Sequence, residues 1–179
     1  MKVYLSIILL AALSTSSHAG KFDEQLELAE QRQVNAQFAL GTMYHFGQGV
    51  QQDDKTAVIW HTKAAEQGYA YAQGYLGNMY QFGQGVQQDY KTAVMWFTKA
   101  AEQGQASAQA NLGIMYASGE GVPESDIKAY VWASMAKANG HEMAKESIDI
   151  LKKRMTKEQI AKAQELAAKC YASDYKDCQ

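Results

Sequence analysis

Small and apolar residues recur along the chain at the spacing of amphipathic helices, and the whole pattern then repeats. The segment AQFALGTMYHFGQGV starts at residue 36 and returns as AQGYLGNMYQFGQGV at residue 72 and AQANLGIMYASGEGV at residue 108. Each copy is followed by a second helical pattern that carries one tryptophan, at Trp60, Trp96 or Trp132. Repeats of this length are typical of helix pairs that complete their cores against neighbouring pairs. The pattern therefore predicts an all-α protein of stacked antiparallel helix pairs with a 36-residue period.

The same periodicity predicts how the chain is divided. The predicted segments are a half-repeat helix over 20–34, three repeats over 35–70, 71–106 and 107–142, and C-terminal capping helices with a tail over 143–179. The half-repeat is indicated by LAEQRQVNAQ at 28–37, which resembles AAEQGQASAQ at 100–109. Thr156 with Gln159 three residues later has the spacing of a capping box, so a closing helix is predicted to begin there.

The glycine-rich loop of each copy predicts the end of one helix and the start of the next. A residue with positive φ commonly ends a helix, and this place is taken by Gly47, Gly83 and Gly119. The N-caps of the second helices are predicted at Asp53, Asp89 and Ser125. A phosphate-binding loop is the alternative for a Gly-x-Gly pattern, but it requires a preceding strand and the sequence predicts none.

The units resemble Sel1-like repeats, a branch of the tetratricopeptide superfamily. The resemblance is carried by residues 36–68 and 72–104, while the third copy, 108–140, departs from it with SDIKAYVWASMAKANG and resembles a last repeat of such proteins. It implies a right-handed α-solenoid of stacked helix pairs with a C-terminal capping helix, in which the first helix of each pair lines a concave surface. It also implies a role as a scaffold or regulator.

The three copies also predict which side of the first helix packs and which side is free. Ala, Gln, Leu, Gly, Met and Tyr are identical in all three copies and fall on one arc at about 100° per residue. This constant arc is predicted to pack against neighbouring helices, with close helix approach at Gly41, Gly77 and Gly113. The three tryptophans of the second helices are predicted to be core residues.

The opposite arc varies between the copies and is predicted to be free of packing. On the resemblance it would face the groove, and its candidate partner-binding residues are Phe38, Thr42, His45, Tyr71, Tyr75, Asn78, Gln81, Asn111 and Ile114, with Ser107 beside them. Aromatic and amide side chains suit recognition of a peptide, a protein loop or a glycan. The alternative is that this arc varies only because it is solvated.

The first 19 residues have the layout of a secretory signal peptide. Lys2 is followed by an apolar run and by small residues before Gly20, and the run is too short to span a membrane. A retained N-terminal anchor is the alternative. In an exported chain the isolated pair Cys170 and Cys178 is expected to form a disulfide. The predicted location is periplasmic or secreted, with no membrane span in the mature chain and the oligomeric state left open.

The net charge and the absence of complete catalytic or metal-binding motifs argue against several classes of function. The net charge of −2 and the scattered lysines argue against a nucleic-acid partner. His45, His61 and His141 lack the spacing of a metal site, so no metal and no cofactor is predicted. Two Ser-x-x-Lys strings, Ser125 to Lys128 and Ser134 to Lys137, lack the Ser-Asp-Asn and Lys-Thr-Gly partners of penicillin-binding enzymes. No catalytic residue is predicted.

The resulting prediction is an exported, non-enzymatic adaptor that binds a protein or peptide of the cell envelope on the concave face. Two alternatives stay open. One is a peptidoglycan- or glycan-binding envelope protein, and the other is a penicillin-binding or β-lactamase-like hydrolase.

Overall fold

The protein is described by a computed structural model that covers residues 20–178. Within this range the chain forms helices joined by turns and contains no strand. The helices are α1 (residues 20–30), α2 (Val34–Phe46), α3 (Asp54–Glu66), α4 (Ala70–Phe82), α5 (Tyr90–Ala101), α6 (Ala106–Ser118), α7 (Asp126–Ala138), α8 (Ala144–Arg154) and α9 (Lys157–Ala172). The predicted signal peptide over 1–19 lies outside the described residues.

The helices pack in the order in which they occur along the chain. The first helices of the repeats are α2, α4 and α6, which we call the A helices, and the second helices are α3, α5 and α7, the B helices. Each A helix packs against the B helix of its own repeat, and α3 and α5 each pack against the next A helix. The predicted all-α solenoid of helix pairs is therefore confirmed.

The loop residues adopt the predicted conformations. Gly47, at the C-cap of α2, has φ 66°, and its counterparts in α4 and α6 have φ 69° and 73°. The predicted caps Asp53 and Asp89 each accept two backbone N–H bonds at the start of the following B helix. The second glycine of the loop meets the preceding repeat, because a Cβ on Gly85 would lie 2.8 Å from the backbone nitrogen of Lys55. The repeated loop thus connects neighbouring repeats.

The glycines of the constant arc bring the A and B helices together, as predicted. A Cβ on Gly77 would lie 2.5 Å from carbons of the Phe97 ring. A Cβ on Gly113 would lie 3.2 Å from the carbonyl oxygen of Ala129. Each of these contacts joins an A helix to the B helix of its own repeat. The closer packing that glycine allows here offsets the loss of helix stability that glycine causes.

The prediction that all three tryptophans are core residues is wrong for the first. Trp132 and Trp96 are 1% and 8% exposed, whereas Trp60 is only partly buried. Trp96 packs in a cluster with Ala and Leu side chains of α3 and α4, but the corresponding cluster around Trp60 is completed by the short α1. The ammonium of Lys63 lies 3.8 Å from the centre of the Trp60 ring and covers part of it.

The C-terminal segment closes the stack on the last B helix. Both α8 and α9 pack against α7, and the predicted capping box of Thr156 and Gln159 is present at the start of α9. Cys170 and Cys178 form a disulfide, and Cys170 belongs to the same core cluster as Trp132. No helix among residues 20–178 has the length and apolar character that crossing a bilayer requires.

Candidate partner-binding surface

The constant and varying positions of the A helices differ in burial. In α4 five of the six constant residues are buried, and the sixth is partly buried. On the varying arc Gly74 is buried, but the other residues keep some exposure, and Tyr71 and Ile114 are 57% and 52% exposed. The prediction that the constant arc packs is confirmed. We call the varying arcs of α2, α4 and α6 together the A-helix face.

Two predicted site residues on this face have packing roles that the sequence did not indicate. Phe38 is partly buried against the core cluster that contains Leu76, and the ring of Tyr75 lies 5.4 Å from the ring of Phe38. The expectation that the varying arc is free of packing is therefore wrong at these positions. Consecutive A helices lie close enough for their varying arcs to contact each other.

Five rings form an aromatic cluster between α2 and α4. Its members are Phe38, His61, Tyr69, Tyr71 and Tyr75. The Phe38 ring is central, with the centres of the other four rings between 5.2 and 6.3 Å away, in tilted or edge-on contacts. Such contacts favour particular ring orientations, each by about 0.5–1.5 kcal/mol. The most exposed member, Tyr71, therefore presents an ordered aromatic surface.

His61 forms the base of the aromatic cluster and is fully buried. Its exposed fraction is 0%, and neither ring nitrogen has a hydrogen-bond partner in the described structure. Burial lowers the pKa of His61 to about 4, with a smaller contribution from the charge of His45. The imidazole is therefore neutral at physiological pH and acts as an aromatic packing residue.

Amide groups surround a second feature, a cavity of about 470 Å³ between α4 and α6. We call it the amide pocket; its polar lining includes Asn78, Gln105, Asn111 and Asn139, and Tyr71 and Tyr75 lie at its edge. The side-chain amide of Asn111 donates a 3.1 Å hydrogen bond to Asn78. The Oε1 of Gln105 is buried against Gly74 and has no hydrogen-bond partner in the described structure.

The third feature is an apolar groove of about 310 Å³ between α6, α7 and α8. We call it the aliphatic groove, and its apolar lining includes Ile114, Ala133, Ile150 and Leu151. Ile114 and Ile150 are each 52% exposed and form its rim. Along the A-helix face, the spaces between consecutive helices thus change from aromatic to amide to aliphatic.

The remaining predicted residues lie at the ends or sides of these features. The hydroxyl of Thr42 donates to the carbonyl of Phe38 in its own helix. The Nδ1 of His45 lies 2.7 Å from Asp54, and its side chain is 16% exposed, which leaves little of it for a partner. Gln81 is partly buried, and Ser107 is exposed and lines the amide pocket.

The sequence did not indicate two residues of this surface and one residue buried beneath it. Phe46 and Phe82, which are 55% and 65% exposed, fall on the same arc of their helices at about 100° per residue. Position 46 also varies, since the copies carry Phe, Phe and Ser. The third is His61, whose position in the B helix reads His, Phe and Ala. Comparing the B helices as well as the A helices would have revealed it.

The candidate catalytic and metal-binding residues have other contacts in the structure. The hydroxyl of Ser125 accepts the backbone N–H of Lys128, which is the predicted N-cap role. Ser134 and Lys137 lie one turn apart within α7. No group of three or more His, Cys, Asp or Glu side chains among residues 20–178 is placed to hold a metal ion.

Comparisons with known proteins agree with this architecture. A family model described as Sel1 repeat matches residues 34–69, 70–105 and 106–141, together more than half of the chain. Among solved structures, a protective antigen with an SLR fold from uropathogenic Escherichia coli strains is 36% identical, with a TM-score of 0.79, over 86% of this chain and 33% of that one. A Sel1 repeat protein from Oxalobacter formigenes is 33% identical, with a TM-score of 0.70, over 73% of this chain and 54% of that one.

The chain is short relative to these proteins, since it spans about a third of the first and about half of the second. No curated protein matches it significantly. Three matched repeats and two similar solenoid structures, added to the helix pairs described above, identify the family. The chain belongs to the Sel1 repeat family.

Proposed function

We propose that the protein is an exported, non-catalytic adaptor that binds a protein or peptide on the A-helix face. The observation that carries this proposal is the aromatic cluster, in which Tyr71 is held by neighbouring rings yet remains 57% exposed. A side chain that is already ordered loses little conformational entropy on binding. Tyrosines of this kind are enriched among the residues that dominate binding energy in protein interfaces.

The fold supports the same proposal. Stacked repeats provide an extended surface on which successive units contact different parts of one ligand. Here the aromatic cluster, the amide pocket and the aliphatic groove follow one another between consecutive helices. Such a surface suits a partner that extends across several repeats.

Export is supported by two features of the chain. Residues 1–19 have the pattern of a signal peptide, and Cys170 and Cys178 are joined in a disulfide, which persists in oxidising compartments. The similar Escherichia coli protein is described as a protective antigen, which is in keeping with a location outside the cytoplasm.

A glycan ligand is the second candidate, and the amide pocket favours it. Tyr71 and Tyr75 stand beside Asn78 and Asn111, so an aromatic surface adjoins hydrogen-bonding amides. An aromatic face with adjacent amides can bind a sugar ring as well as a peptide group. Binding of the purified protein to isolated cell-wall material, competed by soluble wall fragments, would favour this candidate over the protein adaptor.

The proposed function is tested by affinity capture from envelope extract with the chain from Gly20 as bait. The test variant is Tyr71→Ala, and the matched control is Tyr171→Ala on α9, whose side chain is similarly exposed at 60%. We expect a partner that the parent and Tyr171→Ala retain and Tyr71→Ala loses. A partner retained equally by all three would place binding on another surface.

A further inference from the structure

The A-helix face carries no charged side chain of its own. None of the residues in α2, α4 and α6 is Asp, Glu, Lys or Arg, whereas α3, α5 and α7 each contain lysine. We propose that this face takes an extended, uncharged peptide segment of a partner, and that the aliphatic groove receives one aliphatic side chain of that segment. This inference rests on the proposed function and adds to it the chemistry of the partner.

The aliphatic groove exists because the third repeat lacks a ring that fills the equivalent place in the other two. His61 and Phe97 occupy that place in the first and second repeats, and Ala133 occupies it in the third. Closer approach of α6 and α7 recovers part of the lost volume, since Gly113 lies against the backbone of Ala129. The rest remains as a groove of about 310 Å³, which is room for a side chain supplied from outside.

The polar groups around the aliphatic groove are already paired. The hydroxyls of Ser118 and Ser147 lie 3.4 and 3.5 Å from backbone carbonyls of Met115 and Met143, about one turn earlier in the chain. The guanidinium of Arg154 lies 2.7 Å from Glu124 and 2.9 Å from Asp126. A polar or charged ligand group would lose its hydration here without gaining a partner, whereas an aliphatic side chain gains from leaving water.

The rest of the A-helix face also consists of uncharged groups. The rings of the aromatic cluster and the amides of the amide pocket provide stacking surfaces and neutral hydrogen-bonding groups. The His45 imidazole is paired with Asp54. Lys21 and Glu24 of α1 lie at the α2 end of the face, beside Thr42. Along α4 and α6, a charged partner segment would lose its hydration against groups that cannot form ion pairs, so this part of the face selects a neutral segment.

Helix spacing predicts how the recognised residues are placed along that segment. Packed helices lie about 10 Å apart, so the aromatic cluster between α2 and α4 and the aliphatic groove between α6 and α8 are roughly 20 Å apart. An extended chain advances about 3.3 Å per residue, so this distance corresponds to about six residues. Residues separated by an even number point to the same side of an extended chain, and both can therefore face the protein.

The inference is tested by selecting random dodecapeptides, displayed on phage, against the chain from Gly20. We expect enriched peptides that carry an aromatic and an aliphatic residue about six positions apart, with no charged residue between them. The affinity of these peptides for Ile150→Gln should be about tenfold or more lower than for the parent, since a buried aliphatic contact is lost.

The matched control is Ile59→Gln on α3, because Ile59 is 54% exposed and Ile150 52%. Binding should be unchanged in that control and should persist at high salt.

The outcomes separate this inference from the function on which it rests. Peptides that require Tyr71 but bind Ile150→Gln as tightly as the parent would overturn the inference and leave the adaptor proposal intact. Enriched peptides rich in Lys, Arg, Asp or Glu between the two anchor positions would overturn it as well. If no enriched peptide distinguishes the parent from Tyr71→Ala, both proposals fail.

Discussion

The side-chain amide of Gln103 donates a 2.7 Å hydrogen bond to the Oε1 of Gln73, across thirty residues of sequence. Gln73 is 4% exposed, and its own amide donates to the carbonyl of Ala65 near the end of the preceding B helix. In the first repeat, Gln37 likewise donates to the Ala29 carbonyl and accepts a hydrogen bond from Gln67. In the third repeat, Gln109 donates to the Ala101 carbonyl and accepts a hydrogen bond from Asn139. The constant glutamine of each copy thus joins its repeat to the one before it.

This link predicts that Gln73→Ala and Gln103→Ala lower the free energy of unfolding by different amounts. Gln73→Ala removes a buried side chain and both of its hydrogen bonds, the one to the Ala65 carbonyl and the one from Gln103, so we expect a loss of about 2 kcal/mol in the free energy of unfolding. Gln103→Ala should cost less, since Gln103 is exposed and water can replace it. Urea unfolding of both variants provides the measurement. Equal costs would contradict the assigned role of Gln73.

The buried imidazole predicts a dependence of stability on pH. The pKa of His61 falls from 6.5 to about 4 on folding, so its neutral form is favoured in the folded state. The stability that depends on this neutral form is complete above about pH 6.5 and is lost as the pH falls towards 4, in total about 3 kcal/mol. His61→Phe, which introduces the residue that the second repeat carries at Phe97, should remove this loss.

The measurement is the free energy of unfolding of parent and His61→Phe at several pH values between about 7.5 and 4.5. Other titrating groups are common to both proteins, so the difference between them isolates His61. We expect the advantage of the variant to grow as the pH is lowered. A difference that stays constant over this range would show that His61 titrates alike in the folded and unfolded chains.

The contact between Gly77 and Phe97 predicts non-additive effects. Gly77→Ala places a methyl group 2.5 Å from ring carbons of Phe97, and such overpacking costs about 1–3 kcal/mol. Phe97→Ala removes a fully buried ring and costs about 3–5 kcal/mol. Because the second change gives the new methyl group space, the double variant should lose less than the sum. Thermal and urea unfolding of the three variants test this, and strict additivity would rule out the coupling.

The terminal disulfide predicts a redox effect on the end of the solenoid. It holds the tail so that the hydroxyl of Tyr175 donates to the Oδ1 of Asn139, and Asn139 in turn donates to Gln109. Closing a loop of this length contributes roughly 2.5 kcal/mol in the chain-entropy model. Reduction should therefore lower the melting temperature of the parent, while Cys178→Ala should melt at a lower temperature that reductant does not change. A parent that is indifferent to reductant would contradict the prediction.

The sequence by itself determined the repeat, the helix ends and the packing side of each A helix. These features depend on local rules: glycine at a positive φ, a capping side chain at the helix start, and identical residues wherever each repeat meets the same neighbour. Gly47, Asp53 and Leu40 could therefore be assigned from their positions in the pattern alone.

Only the tertiary structure decided what lies between consecutive A helices and between α6 and α8. That space depends on the B-helix residue beneath it and on the next A helix, which are distant in sequence. His61 with Tyr75 fills the first space, while Ala133 leaves the last one open as the aliphatic groove. For the same reason Trp60, which is covered by the short α1 where Trp96 has a full repeat, stays partly exposed whereas Trp96 is buried. A helix pattern indicates which side faces a neighbour, but the volume that the neighbour fills is set by side chains from several helices together.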